Sequence, residues 1–332
     1  MSEFTIDNHN NVLENSPELL SILLKDHTTD GNIFWATDNY AHLGEGFQFF
    51  DQITLDAITG VNSNVIIPRS EKAKNVQKKR SRQMAEIFTP SWVCNKMVNL
   101  LDEKWFERTE AFNKEVDDYP NHSHTWIPTE NKIEFPDSMT WREYISLNQL
   151  EITCGEAPFL VSRYDTVTGV SIPVKMRIGI LDRKLRIADE NTSTFEEWYD
   201  AAIHALKATY GYEWQGDNIL LARKNLFYTL LDYHKAKFDT ELPSFYYQEI
   251  AEIVAWNIWQ MDGLKFVVPC SCHDEIIITP RFGVEDEIKK IPCPGCKMKN
   301  YHTHNGKYSM IMDWEEGYPI QFVSLTKNSN NK

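Results

Sequence analysis

The residue types best suited to chemistry gather in two places. Toward the end of the chain, Cys270-Ser271-Cys272 is followed after twenty residues by Cys293-Pro294-Gly295-Cys296. Paired thiols on two turns, the second tightened by Pro and Gly, suit a tetrahedral zinc ion. Cys270, Cys272, Cys293 and Cys296 are therefore the expected ligands, with His273, His302 and His304 as further donors and a metal-free knuckle as the alternative. The second place is Leu150-Glu151-Ile152-Thr153-Cys154-Gly155-Glu156-Ala157-Pro158-Phe159-Leu160. It reads as the end of a buried strand, a tight turn at Gly155 and a helix that begins near Pro158. Proline suits the first helical position because its missing N–H would be unpaired there anyway. A strand that turns into a helix N-terminus is where α/β proteins hold nucleotides and similar cofactors.

Further elements must position this loop. Thr209-Tyr210-Gly211-Tyr212-Glu213-Trp214-Gln215-Gly216-Asp217-Asn218 reads as a short strand ending in an acid, then a turn and a helix capped by Asp217. A carboxylate at such a strand end can accept from both hydroxyls of a ribose; a surface acid without a ligand is the alternative. Ile219, Ala222, Leu226 and Leu230 give the following helix a core face. Thr194-Phe195-Glu196-Glu197 is a capping box ahead of another amphipathic helix. Asn257 to Leu264 reads as a third strand, running into an Asp262-Gly263 turn. Strand, helix, strand, helix, strand favours a parallel sheet with right-handed crossovers. Upstream, Thr89 is an expected N-cap and Pro90 the first residue of a helix whose core face would be Val93, Met97, Leu100 and Leu101. Residues 104–140 lack periodicity and read as a loop-rich connection.

The bulk numbers bound the class. The chain has 332 residues, 42% of them hydrophobic and 25% charged, as in a soluble globular protein. No run approaches the ~18 apolar residues of a membrane span, and Met1–Asp7 has neither the basic region nor the apolar core of a secretory signal. A cytoplasmic protein is expected, its six cysteines serving as thiols or metal ligands. The net charge of −14 argues against a chain that grips DNA unaided. Yet Lys72, Lys74, Lys78, Lys79, Arg80 and Arg82 cluster in one segment. Such a run is a solvated helix face or linker, or else a contact with a phosphate backbone or acidic partner.

Several of these stretches, in this order, resemble the adenine-N6 DNA methyltransferases of bacterial restriction–modification systems. Ala85–Pro90 looks like that family's Phe-Thr-Pro motif, Glu151–Leu160 its Asp-Pro-x-Cys-Gly-x-Gly-x-Phe-Leu loop, Tyr210–Asn225 the strand and helix with the ribose-binding acid, and Asn257–Leu264 its third motif. The resemblance spans roughly residues 70–268 and is also to restriction endonuclease M subunits. It implies an α/β, Rossmann-like methyltransferase core with an incomplete parallel sheet that binds S-adenosylmethionine. Phe88, Thr89 and Pro90 would hold the methionine part, and Glu151, Thr153, Cys154, Gly155 and Phe159 would form the cofactor loop. Glu213 beside Trp214 would bind the ribose, and Asp262 with Gly263 would lie near the adenine. The sequence departs from the pattern where Glu151 stands for Asp, Ile152 for Pro and Ala157 for the second Gly. The family's Asn-Pro-Pro-Tyr, which clamps a flipped adenine, does not occur in these residues, so no catalytic residue is assigned.

The resulting expectation is a split enzyme. An acidic extension, residues 1–84 with the basic segment 72–82, precedes a cofactor-binding domain, 85–268, and a Cys-rich tail, 269–332. A partner methyltransferase subunit would bring the base clamp and target recognition, with DNA reached through the complex. The rival expectation is a catalytically inactive cofactor-sensing or assembly subunit of a restriction complex.

Overall fold

The computed structural model describes residues 11–84, 86–118, 123–280 and 287–326; Met1–Asp7 and Ala85, read above, lie outside them. In chain order the elements begin with helices α1 (Asn11–Glu14), α2 (Pro17–Leu24), α3 (Leu55–Ile58), α4 (Lys74–Met84) and α5 (Ser91–Phe106). Strands β1 (Asn113–Asp118) and β2 (Ser123–Pro128), α6 (Trp141–Ile145), β3 (Gln149–Ile152), α7 (Ile180–Asn191), α8 (Phe195–Lys207) and β4 (Thr209–Glu213) follow. Then come α9 (Gly216–Phe238), α10 (Tyr247–Asn257), β5 (Ile258–Gln260), β6 (Glu275–Thr279), β7 (Glu287–Ile291), α11 (Pro294–Met298), β8 (Met310–Asp313) and β9 (Tyr318–Gln321). The architecture is mixed α/β. Its centre is a three-stranded parallel sheet in the order β3-β4-β5, pairing Leu150 with Tyr210 and Tyr212 with Trp259.

One face of the sheet packs on the main core, where Ile219, Ala222, Leu226 and Leu230 of α9 are buried as their spacing predicts. The other meets the β8–β9 hairpin through Tyr212, Trp259, Met261, Ile311 and Phe322. The N-terminal extension shares the main core: Leu13, Leu23, Leu24, Ile33 and Trp35 are fully buried within it. Arg223 of α9 joins three elements there. Its Nη1 donates to the carbonyls of Leu23 and Lys25, its Nη2 to Ala255 and its Nε to Ile258. Helix ends leave their last carbonyls unpaired; here one guanidinium satisfies those of α2 and α10.

Several expectations need correcting. No helix starts at Pro158: Thr153, Gly155 and Ala157 all take positive φ (49°, 55° and 64°), and Pro158–Leu160 is a single turn. A helical turn begins after Ala157, whose carbonyl accepts from the Val161 N–H at 2.9 Å, but it goes no further because the next N–H, of Ser162, donates to the Asp182 carboxylate at 2.7 Å instead. Thr89 does not cap α5. Pro90 occupies the N-cap, and the Ser91 N–H is met at 2.7 Å by the Asp165 carboxylate. The α5 core face is also inverted: Met97 and Leu100 are 51% and 53% exposed, whereas Asn95, Asn99 and Asp102 are buried. The reason is Arg183, whose guanidinium pairs with Asp102 and donates to Asn95 and Asn99 at 2.9 and 2.8 Å. A buried charge must be satisfied by polar partners, and this requirement outweighs burial of the apolar stripe. Residues 104–140 contain the antiparallel β1–β2 pair, missed because its partly exposed strands lack strong apolar alternation. Asp217 lies one residue inside α9, after Gln215 at the N-cap. The basic run divides: Lys74, Lys78, Lys79 and Arg82 face solvent on α4, whereas Lys72 and Arg80 are buried against Asp217.

Candidate functional site

The C-terminal ends of β3 and β4 open into a cleft of about 1050 Å³. Phe88, Thr89, Glu151, Thr153, Cys154, Gly155, Phe159, Glu213 and Trp214 line it. Residues from three separate stretches thus meet on one cavity. Pro90, Asp262 and Gly263 are not in its lining. Pro90 is used as the α5 cap. Asp262 turns back to accept from the Leu264 N–H at 2.9 Å and to pair with Lys265, and Gly263 is packed under the Tyr212 ring.

Two acids hold the loop. Glu213 Oε2 accepts from the Gly155 N–H at 2.9 Å, and its Oε1 accepts from Trp214 and Gln215 at 2.8 and 3.3 Å. Glu151 Oε2 accepts from Leu160 at 3.2 Å. Burial pushes both carboxyls upward, Glu151 well above the usual range, against the backbone N–H groups that favour ionisation. Ala157, fully buried at φ 64°, occupies the position where glycine is the cheap residue; the left-handed conformation costs it roughly 1–2 kcal/mol. Cys154 is buried against Gly211 and donates its backbone N–H to Tyr212. Burial raises its thiol pKa well above normal, so it serves packing rather than nucleophilic attack. Phe88 lies against Gly155, whose missing Cβ would stand 3.5 Å from the ring, and Arg69 covers the same ring.

The cleft is acceptor-rich. Glu86, Glu151 and Glu213 line it together with Arg82, and Glu86 is ion-paired with the buried Arg80. Glu86 Oε1, Gln215 Oε1 and Asn218 Oδ1 are buried there without hydrogen-bond partners. Buried polar atoms are seldom left unpaired, and all three of these can accept from a donor-bearing ligand. Sequence reasoning missed Gln215 and Asn218. Their place in the turn after the strand-end acid was the available signal.

The second site lies in the tail. Sγ of Cys272, Cys293 and Cys296 and a ring nitrogen of His304 all fall within 4.8 Å of one another. His304 Nδ1 is 3.4, 3.5 and 3.7 Å from the three sulfurs, and Cys272 and Cys296 sulfurs are 3.6 Å apart. Metal bonds of ~2.3 Å to sulfur and ~2.0 Å to nitrogen in a tetrahedron put neighbouring ligands roughly 3.5–3.8 Å apart. The observed spacing fits, and a disulfide, with sulfurs ~2.05 Å apart, does not. This Cys3His group could hold a metal such as zinc. Cys270 is not part of it: the residue takes φ 61° and its thiol is exposed. His304 replaces it because Gly295 leaves room for the ring; a Cβ there would stand 2.6 Å from Nδ1.

No family model, curated protein or solved structure matches this chain. Among the described residues no helix is long and apolar enough to cross a membrane.

Proposed function

We propose that the chain is the S-adenosylmethionine-binding subunit of a split adenine-N6 DNA methyltransferase. The parallel sheet would be the cofactor half of a Rossmann-like core, and a partner chain would supply Asn-Pro-Pro-Tyr, target recognition and most of the DNA contact. The observation that carries the reading is the set of hydrogen-bond acceptors in the cleft. Beside its carboxylate, S-adenosylmethionine brings a sulfonium and an ammonium, two ribose hydroxyls and an exocyclic amine, which are cationic or hydrogen-bond donors. The carboxyls of Glu151 and Glu213 and the unpartnered oxygens of Glu86, Gln215 and Asn218 suit those donors. The cleft volume of about 1050 Å³ lies at the upper limit of small-molecule pockets, about 300–1,000 Å³.

Within this reading Glu213 has a double task. Its bond to Gly155 fixes the loop, and its remaining acceptor capacity, one site of about four on a carboxylate, meets a ribose hydroxyl. Phe88 and Thr89 form the wall on which the methionine part lies. The bound cofactor supplies the methyl group; the chain orients it and keeps it dry, because transfer to an amine depends mainly on positioning. Metal held by Cys272, Cys293, Cys296 and His304 would brace the tail that carries β8 and β9.

Titration calorimetry of the purified chain with S-adenosylmethionine tests the proposal. Micromolar binding that weakens in Glu213→Ala, with methyl transfer to DNA only after the partner is added, is the expected result. Binding without transfer in any reconstitution would favour a cofactor sensor, and absence of binding would leave an assembly role.

A further inference from the structure

The central sheet has two edge strands, β3 and β5, and the β3 edge adjoins the cleft. β3 pairs with β4 alone, and among the described residues no strand lies along its other edge. The Gln149 N–H donates to Ala208, toward β4. Backbone groups alternate direction along a parallel strand, so Leu150 and Ile152 turn theirs to the open edge. Protein sheets commonly guard such edges with lysine or proline. Gln149-Leu150-Glu151-Ile152 has neither, and Leu150 and Ile152 are exposed.

Apolar surface flanks this edge on both sides. Leu150 lines two cavities, the cofactor cleft and a groove of about 240 Å³. Met97 and Leu101 of α5, the stripe that Arg183 turns outward, stand in the first. Ile311, Ile320 and Leu325 of the tail stand in the second. The arrangement is a slot, with unpaired backbone in the middle and apolar walls above and below. A strand in such a slot is buried on both faces and must be a run of consecutive apolar residues.

We infer that this slot is where the partner docks: a second, different polypeptide adds an apolar strand parallel to β3, running from the β8–β9 groove toward the cofactor cleft. The inference rests on the split-enzyme reading and names the surface that reading needs. A parallel strand delivers its C-terminal end, and the loop behind it, to the mouth of the cleft, as β3 and β4 do. Geometry and charge select a different chain over a second copy. Two-fold pairing of β3 edges would be antiparallel, which carries the second copy's cleft to the far end of the strand, and it would join two chains of net charge −14, which repel. Strand addition is an established mode of chain recognition, with backbone bonds supplying affinity and side-chain pockets specificity.

The test uses the full chain co-expressed with the product of a neighbouring reading frame that contains Asn-Pro-Pro-Tyr. Amide hydrogen exchange is followed at Leu150 and Ile152, and association is measured for the parent, Leu150→Lys and Ile152→Pro. Ile152→Pro deletes one edge-facing N–H and leaves the bonds to β4 intact; circular dichroism checks that each variant folds. Val61→Lys, at a fully exposed site elsewhere, is the control. Protection of both amides in the complex, with at least tenfold weaker association in both edge variants and none in the control, is expected. Association and methyl transfer with unprotected edge amides and unaffected edge variants would overturn the slot while leaving the split enzyme standing. Neither association nor transfer would overturn both. Self-association of the chain that Ile152→Pro abolishes would assign the slot to a second copy and overturn the partner.

Discussion

The cofactor loop and the cysteine–histidine knuckle are both tight turns that bring distant residues together, yet they are organised in opposite ways. In the loop, Glu151 and Glu213 already occupy the backbone N–H groups of Leu160 and Gly155. The protein satisfies its own turn, and a ligand would add to a formed site. In the knuckle, the His304 nitrogen lies 3.4–3.7 Å from three sulfurs, and all four atoms fall within 4.8 Å of one another. Four electron-rich groups at that spacing repel unless a cation or protons lie between them. The first site is held from within, the second by what it would bind.

This contrast can be broken by experiment. Chelation, or Cys296→Ser, has the largest expected effect, because structural zinc contributes about 10–16 kcal/mol of apparent folding energy in small domains. Limited proteolysis should then cut the tail beyond Val268 while the core stays resistant. Loss of the core as well would show that the two regions stand or fall together. Glu213→Ala should cost roughly 1.5–3 kcal/mol of cofactor binding, the range for a hydrogen bond to a charged group, or about 10- to 150-fold in Kd by calorimetry. Glu151→Ala leaves the Leu160 N–H unpaired beneath the loop and should lower stability by about 1–3 kcal/mol in urea unfolding. Glu151→Gln, which keeps an acceptor, should restore most of it.

The pH dependence sharpens the same point. Both loop acids have folded pKa values raised by burial. The native state therefore holds more protons than the unfolded chain between the ordinary carboxylate range and those raised values. Their contribution to stability is complete at acid pH and falls as pH rises through the raised pKa values. Thermal melts of the parent against Glu151→Gln should show that slope diminished in the variant. The smallest effect belongs to Thr89→Ala. Thr89 caps nothing, so stability should stay within about 0.5 kcal/mol, and any loss of cofactor affinity then reports direct contact with ligand.

What the sequence disclosed follows from how local each signal was. The capping box at Thr194 and Glu197, the α9 core face and the three parallel strands rest on spacing within one element, and all are present. The metal ligands were legible except for one, because Cys270 and His304 can be told apart only once Gly295 has brought the ring in. The face of α5 was misread for a different reason. Its orientation is decided by Arg183, 81 residues beyond Asp102, and no window along the helix contains that charge. The pairing of Glu213 with Gly155, 58 residues apart, was likewise out of reach, although each residue was picked out alone.

Arg223 sets a constraint of timing. Its guanidinium waits on a carbonyl at Leu23, 200 residues earlier, and on another at Ile258, 35 residues later. A ribosome adding about 5–20 residues per second takes on the order of ten seconds or more to span that interval. Throughout it the apolar face of α2, with Leu19, Leu20, Leu23 and Leu24, has been made but has no α10 to pack against. Helix α2, made early, is thus among the last to be secured, and cutting the gene near residue 70 would strand both pieces with open surfaces.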